Sequence, residues 1–474
     1  MDTKTPNQDI AKAINALSQN NFKEAEKICH EILTLGNDSD ANYILGCIRM
    51  HEKKYNESID YIKKAISKDN ANAGYYISLG CAYSSNKNFT EAIEAFKNAN
   101  NINSEIPQIH FYLGEAYRQT GQFNKALTHF KKSLDLSPDH IGSLLMLGVV
   151  YEELKKFGQA KQSYLGCIDI YPENADPHIN LGMCYLLTGE YEKGWKEYEW
   201  RLKLDNNLMS VESTKPQWKG ENIEGKKLLI ICEQGFGDTI HFIRFAKLFS
   251  KEGTEIIVLA QDELNSLLEQ QAWISNIINL GDEIPEHDFY VYIQSIPGIL
   301  EWNPTTYTQE FPYISIKESP IKYIEKDKLN IGIATQTRIA ASDHKMRSID
   351  LNKFTKIFNK AKHNIISLDY ALNQTNDKNE IIDYYPEITD FVDTANIIKN
   401  LDLIISVDTV VAHLAGSLNK NVWLLLSSVP GWRWDFNYPD STPWYPTFKI
   451  LRQETNDNWN NVLKNIELEL KNYV

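Results

Sequence analysis

The pair Leu-Gly recurs five times in the N-terminal part of the chain, as Leu45-Gly46, Leu79-Gly80, Leu113-Gly114, Leu147-Gly148 and Leu181-Gly182. Every step is 34 residues. Three positions after each glycine stand Arg49, Tyr83, Tyr117, Tyr151 and Tyr185. Small residues follow at Ser58, Ala92, Ala126, Ala160 and Gly194, and large ones at Ile62, Phe96, Phe130, Tyr164 and Tyr198. No other feature constrains the fold as much, because a unit of this size cannot bury its own apolar face and must complete its core on its neighbours. Pro138 and Pro172 close two of the units, where a proline can end a helix.

The period and the Leu-Gly, Tyr, Ala, Phe and Pro positions resemble the tetratricopeptide repeat (TPR). The resemblance implies helical hairpins in which a small residue lets two helices cross closely while large ones fill the gap. FKEAEKICHEIL, 22 to 33, aligns with YNESIDYIKKAI, 55 to 66, after a one-residue adjustment, so about six repeats are expected across 1–205. A stacked array of this kind is an α-solenoid whose concave face commonly takes a peptide or protein; a scaffold that only dimerises or props up its neighbour is the alternative. The last copy is divergent: GEYEKGWKEYEWRL, 189 to 202, carries Trp195 and Trp200, as expected where a terminal repeat seals its core against the next domain. Pro216 and Trp218 make 206–224 read as a packed linker.

Composition narrows the partners. A chain of 474 residues with 42% hydrophobic and 24% charged residues reads as soluble, globular and divided into roughly three domains. A formal net charge of -14 excludes nonspecific binding of nucleic acid, which needs a basic surface. The start MDTKTPNQDIAKAINAL lacks the pattern of a secretory signal and no apolar run is long enough to span a bilayer, so a cytoplasmic protein is expected. The six cysteines, Cys29, Cys47, Cys81, Cys167, Cys184 and Cys232, lack metal-site spacing and read as reduced thiols.

From Lys226 the rhythm changes to short β-branched runs alternating with helical segments: KLLIIC, TIHFIRFAKLFSKEG, EIIVLA, ELNSLLEQ, NIINL and FYVYIQS. After a polar stretch at 317–328 the rhythm starts again with LNIGIAT, FTKIFNKA, NIISLD, TANIIKN, LDLIISVD, VVAHLAGSL and NVWLLLSS. Such alternation predicts βαβ units on parallel sheets, in two α/β halves. Ligands of open α/β sheets lie beyond the carboxyl ends of the strands. Two strand-to-helix junctions attract notice there. The first, CEQGFGDTIHF, carries Gly235, Gly237, Asp238 and His241; the second carries Ser406, Asp408, Thr409 and, one turn on, His413.

EQGFGDTIHFIRFAK, KMRSIDL at 345–351, LIISVDTVVAHLAGSLNKNVWLLL and VPGWRWDFNYPDSTPWYPT together look like the bacterial repeat-bearing glycosyltransferases related to heptosyltransferases, over about 185–455. The resemblance implies a GT-B fold of two Rossmann-like halves, 225–318 on the acceptor side and 319–474 on the donor side. It further implies inverting transfer from a nucleotide-sugar, without a metal or other cofactor. A peptide-binding array fused to such a module points to a protein acceptor similar to flagellin; an inactive module in an interaction protein and a saccharide or lipid acceptor are the alternatives. The chain departs from the family pattern at GIATQTR, 332–338, which bears on the choice of sugar.

Carried over residue by residue, Asp238 falls on the family's catalytic base, while Asp408, Thr409 and His413 fall on its donor-binding motif. Lys345 and Arg347 lie where the family has positive charge beside the diphosphate. Each residue also has a plainer reading. Asp238 and Asp408 suit helix N-caps, Gly235 and Gly237 suit a tight turn, and His241 suits a packed helix. Trp432, Arg433 and Trp434 read as packing between the halves, with stacking on a base as the second possibility.

Overall fold

The computed structural model describes residues 6–473 apart from 37, 205–212, 234, 307–309, 338–346, 370–380, 385–386 and 456–457. Within them, twelve α-helices paired as six hairpins run from Pro6–Ser18 to Tyr191–Tyr198, and an α/β region of parallel sheets follows. Two compact units result, Met1–Pro177 and His178–Val474. The last hairpin, from His178 on, thus belongs with the α/β region, whereas the repeat pattern alone places a boundary near 205.

The Leu-Gly signature has a direct steric cause. A Cβ at Gly46 would stand 2.5 Å from Ile62 Cγ1, at Gly80 2.4 Å from the Phe96 ring, at Gly114 2.6 Å from Phe130 and at Gly148 2.3 Å from Tyr164. Glycine and the large residue sixteen positions on are therefore one knob and hole, repeated along the array. The turn inside each hairpin repeats too. Lys53, Lys87, Gly121, Lys155 and Gly189 all have positive φ. The next N–H then reaches back to the residue three after each Leu-Gly glycine: Lys54 to Arg49 at 2.9 Å, and Asn88, Gln122, Lys156 and Glu190 to the tyrosines at 2.8 Å. This is the Schellman closure of a helix, which prefers glycine at its left-handed residue. In the last copy the helices meet backbone on backbone: a Cβ at Gly182 would lie 2.6 Å from the Tyr198 nitrogen.

The α/β region holds two parallel sheets. The first has strands β1 (Lys227–Ile231), β2 (Glu255–Leu259), β3 (Asn276–Ile278) and β4 (Phe289–Tyr292) in the order β3-β2-β1-β4. The second has β5 (Leu329–Ala334), β6 (His363–Ser367), β7 (Ile382–Asp383), β8 (Leu403–Val407), β9 (Val422–Leu426) and β10 (Phe448–Arg452) in the order β10-β9-β8-β5-β6-β7. Every residue of β6, β8 and β9 is buried, as expected of strands covered on both faces. The helix Asn460–Asn472 packs Val462, Leu463, Ile466 and Leu470 into the core under the second sheet. The segment after 212 adds to the first sheet: Gln217 bridges Tyr290, and the Trp218 N–H donates to the Tyr290 carbonyl at 2.8 Å. The six cysteines are free thiols, and among the described residues no helix is long and apolar enough to cross a membrane.

The repeat geometry yields a paired prediction. Gly148→Ala drives a methyl into the Tyr164 ring, and overpacking of this kind costs about 1–3 kcal/mol. Lys87→Gly removes a Cβ from a left-handed residue with φ 61° and gains about 1 kcal/mol. Urea unfolding of the two variants against the parent should move in opposite directions.

Candidate functional site

Two helices begin at the carboxyl ends of β1 and β8. The first is Phe236–Ser250, with Gly235 at its N-cap; the second is Val410–Ser417, with Thr409 at its N-cap. They pack against each other, and the crossing falls at Gly237. A Cβ there would stand 3.1 Å from His413 Cδ2 and 3.6 Å from the Val410 Cα. Gly237 thus provides close approach of backbone to a neighbouring helix, not an unusual backbone angle. Gly235 has φ -89° and open space where a Cβ would go. The turn reading of these glycines therefore gives way to a packing reason for Gly237, and Gly235 has no steric need to be glycine.

The crossing brings the two acidic motifs together. Asp238 is the third residue of its helix and forms an ion pair with Arg433; the N-cap position belongs to Gly235. The Arg433 guanidinium also lies 4.3 Å from the centre of the Trp432 ring. Asp408 precedes its helix and pairs with Arg347 at 3.2 Å, while Arg347 also donates to the Asp408 carbonyl. His413 Nε2 faces the other oxygen of Asp408 at 3.9 Å. Ser406 donates to the Val407 carbonyl at 2.7 Å and lies 3.3 Å from the Thr409 hydroxyl, so the β8 end is tied to the cap residue. No side chain caps the second helix. Its first N–H groups carry a partial positive charge of roughly half a unit. Of the residues singled out from the sequence, Lys345 lies outside the described residues.

The departure at 332–338 is built into the strand end. Thr335 donates its N–H at 2.9 Å and its hydroxyl at 2.7 Å to Asp369, beyond β6, and the Gln336 N–H reaches the same carboxylate at 3.2 Å. Burial pushes the Asp369 carboxyl above its ordinary range, against the pull of those hydrogen bonds.

Beneath the motifs is a buried polar joint. The Tyr445 hydroxyl lies 3.0 Å from His241 Nδ1 and 2.9 Å from His413 Nδ1. One hydroxyl hydrogen serves only one of them, so one imidazole accepts from Tyr445 and the other donates to it. Arg244 donates to the carbonyls of His241 and Trp444 at 2.6 Å and to the Tyr313 hydroxyl at 3.0 Å. His241 has no exposed surface. Burial drives its pKa well down, helped by Arg244 and His413. His413 is lowered to about 4 by burial, with Asp408 pulling it up and Arg244 and Arg347 pulling it further down. Sequence reasoning passed over Arg244, Tyr313 and Tyr445, and read Arg433 as packing; an arginine inside an otherwise apolar helix, IRFAKLF, is the one local sign of the joint.

A cleft of about 480 Å³ in the same unit is lined by Tyr191, Lys193, Asn303, Thr305, Asp435 and Tyr438, among others, and by none of the motif residues. The convergence of strand ends, not this cleft, marks the candidate site.

Comparison with known proteins bears on the repeats. Family models of the tetratricopeptide repeat match residues 39–72, 73–106, 107–140 and 141–174. The chain therefore carries a TPR array, an interaction scaffold that implies a protein partner. No curated protein matches the chain. Among solved structures it is similar to MamA, at 20% identity and TM-score 0.32, covering 33% of this chain and 92% of that one. It is also similar to PilF of Pseudomonas aeruginosa, at 18% and 0.37, covering 42% and 90%. A third is YrrB, described as a TPR protein with an unusual peptide-binding site, at 16% and 0.33, covering 37% and 92%.

The buried histidines set a pH dependence. A histidine whose folded pKa lies below its ordinary 6.5 stabilises the fold above that value and ceases to do so as pH falls toward the folded pKa, here about 4 for His413. Stability should fall between pH 6.5 and 4 with a slope approaching about 1.4 kcal/mol per pH unit from this residue. Unfolding midpoints of the parent and of His413→Gln across that range should differ in slope, the variant being flatter.

Proposed function

We propose that the chain is an inverting, metal-independent glycosyltransferase of GT-B type that takes a nucleotide-sugar and modifies a protein held by the TPR array. The observation that carries this reading is the meeting of the two strand-end motifs. In both sheets the junction lies where strand order reverses about the first strand, between β1 and β4 and between β5 and β8. Open α/β sheets bind their ligands at such a point. The uncapped helix start at Thr409 and the Arg347 guanidinium suit a diphosphate. Ser406 and Asp408 stand beside them and suit sugar or ribose hydroxyls. Asp238, from the other half, would take the proton of the acceptor hydroxyl.

The ion pairs add a condition. A carboxylate held by a guanidinium is a weaker base, so Asp238 gains basicity only once its arginine is drawn away. An incoming diphosphate competes for arginine through the same forked geometry. In this reading donor binding shifts a guanidinium from acid to phosphate and frees the carboxylate for the acceptor. His241, enclosed in the joint, has no proton-transfer step and acts by packing. The same ion pairs favour a second reading, an interaction protein whose α/β module is inactive: both acids are already neutralised, and the GIATQTR strand end is tied to Asp369.

A thermal-shift screen of the full chain against a panel of sugar nucleotides separates the two, since a ligand that binds only the folded state raises its melting temperature. Silence at millimolar concentration supports the inactive module. For the base, Asp238→Asn should lower turnover by roughly 10²- to 10⁴-fold. It should also cost about 1.5–3 kcal/mol of stability, because Arg433 loses its counter-ion. Adding Arg433→Gln should restore stability but not turnover; recovery of both would remove Asp238 from the chemistry.

A further inference from the structure

The short helical turn Glu199–Lys203 that ends the last repeat hairpin carries Arg201, which is only 5% exposed. Its Nε donates to Glu233 Oε1 at 2.8 Å, and Nη2 lies 2.7 Å from the same atom. Nη2 also donates to the Ser295 hydroxyl and Nη1 to Glu199 Oε2, both at 2.8 Å. Ser295 in turn donates to Glu199 Oε1 at 2.8 Å, and the neighbouring Tyr198 hydroxyl donates to Gln294 at 2.8 Å. Glu233 is 1% exposed. It stands just beyond β1 and two residues before the Gly235 cap of the helix that carries Gly237 and Asp238. Burial raises the pKa of its carboxyl, and the Arg201 charge acts against that rise.

We propose that Arg201 is a positioning residue, which fixes the turn bearing Gly235, Gly237 and Asp238 by gripping Glu233, so that the last repeat hairpin is a working part of the site. The arrangement exceeds what packing alone requires. The hairpin is already fixed by Trp195, whose indole N–H donates to the Trp302 carbonyl at 3.0 Å, and whose ring meets Trp432 edge-on at 5.5 Å. A buried ion pair adds little to such an apolar contact, because desolvation offsets its attraction; its use lies in fixing one geometry. Arg201 spends its donors on the three segments that converge there: its own turn, the residue after β4 and the residue after β1. Each strand end of the first sheet's reversal point is thereby held in register by one guanidinium. Treating the 235–238 turn as a site rests on the function proposed above; the grip on the turn does not.

Hydrogen exchange of the full chain, read by mass spectrometry, tests the grip. In Arg201→Met and in Glu233→Gln, the amides of 235–241 should exchange at least about tenfold faster, while those of β9 keep the parent's rates. The double variant should exchange more slowly than Arg201→Met, because no uncompensated carboxylate is left. If Arg201→Met does not fold, Ser295→Ala carries the test: it removes one acceptor of Arg201, leaves every charge in place and should give a smaller rise at the same amides. Parent rates at 235–241 in the folded variants overturn the proposal, as does an equal rise over the whole unit. A local rise in a chain that binds no sugar nucleotide would leave the grip standing and overturn the glycosyltransferase reading instead.

Discussion

The helices that follow β1 and β8 approach so closely at Gly237 that a single methyl would press on His413, and the candidate site is built outward from that approach. Its closeness sets the distance between the two strand ends. Directly beneath it the Tyr445 hydroxyl joins His241 of one helix to His413 of the other. Arg244 then ties the first helix to the Trp444 carbonyl and the Tyr313 hydroxyl. A polar joint in so dry a place is costly unless its members are satisfied. Here the hydrogen bonds run between segments remote in sequence, so each is made only when the two α/β halves adopt one relative placement. The joint acts as a gauge, and apolar packing supplies the adhesion.

That adhesion comes mainly from tryptophan. Trp302 stacks on Trp444 at 3.8 Å with planes 10° apart, Trp195 meets Trp432 edge-on, and Phe242 of the first site helix lies 6.1 Å from Trp432. The hairpin, the first sheet and the loop after β9 thus share one aromatic core. This explains why the chain divides within the last repeat and not after it. A repeat hairpin with a polar outer face would end an array in solvent. This one instead turns large aromatic residues toward the α/β region, with the Gly189 loop beside Asp435 and Asn437. The positive φ at Gly189 serves both the hairpin closure and that contact.

Much of this was legible in the sequence, for identifiable reasons. The repeat was readable because its knob-and-hole pair imposes glycine and a large residue sixteen apart in copy after copy. The hairpin turns were not, because Lys53, Lys87 and Lys155 stand where Gly121 and Gly189 alone would have shown the left-handed residue. Most strands were readable as apolar β-branched runs. β7, two residues long, offers no pattern, while β10 and the helix Asn460–Asn472 lie beyond the last motif that drew attention. Both strand-end motifs were readable, but their partners were not. Asp238 and Arg433 are 195 residues apart, and no spacing rule says which arginine meets which acid. The same holds for Glu233, which reads as a filler residue in CEQGFGD until Arg201 is found against it.

The charge of the whole molecule and the charge of the site lead in opposite directions. A net charge of -14 disfavours a long polyanion, whose binding depends on many cationic contacts spread over a surface. A nucleotide-sugar samples only its immediate surroundings, because exposed charges farther away than a Debye length of about 8 Å are screened at physiological salt. Within that radius the proposed donor would meet two arginines and a helix N-terminus against two aspartates, and the arginines are the mobile members. A donor that draws one guanidinium onto its diphosphate leaves a carboxylate exposed where the acceptor hydroxyl must lose its proton. The paired state is then the resting form of such a site, with the acid held charged and idle until the donor arrives. On this view the pairing of Asp238 with Arg433 is compatible with catalysis, and it supplies an order of events in which the acceptor is activated only after the donor has bound.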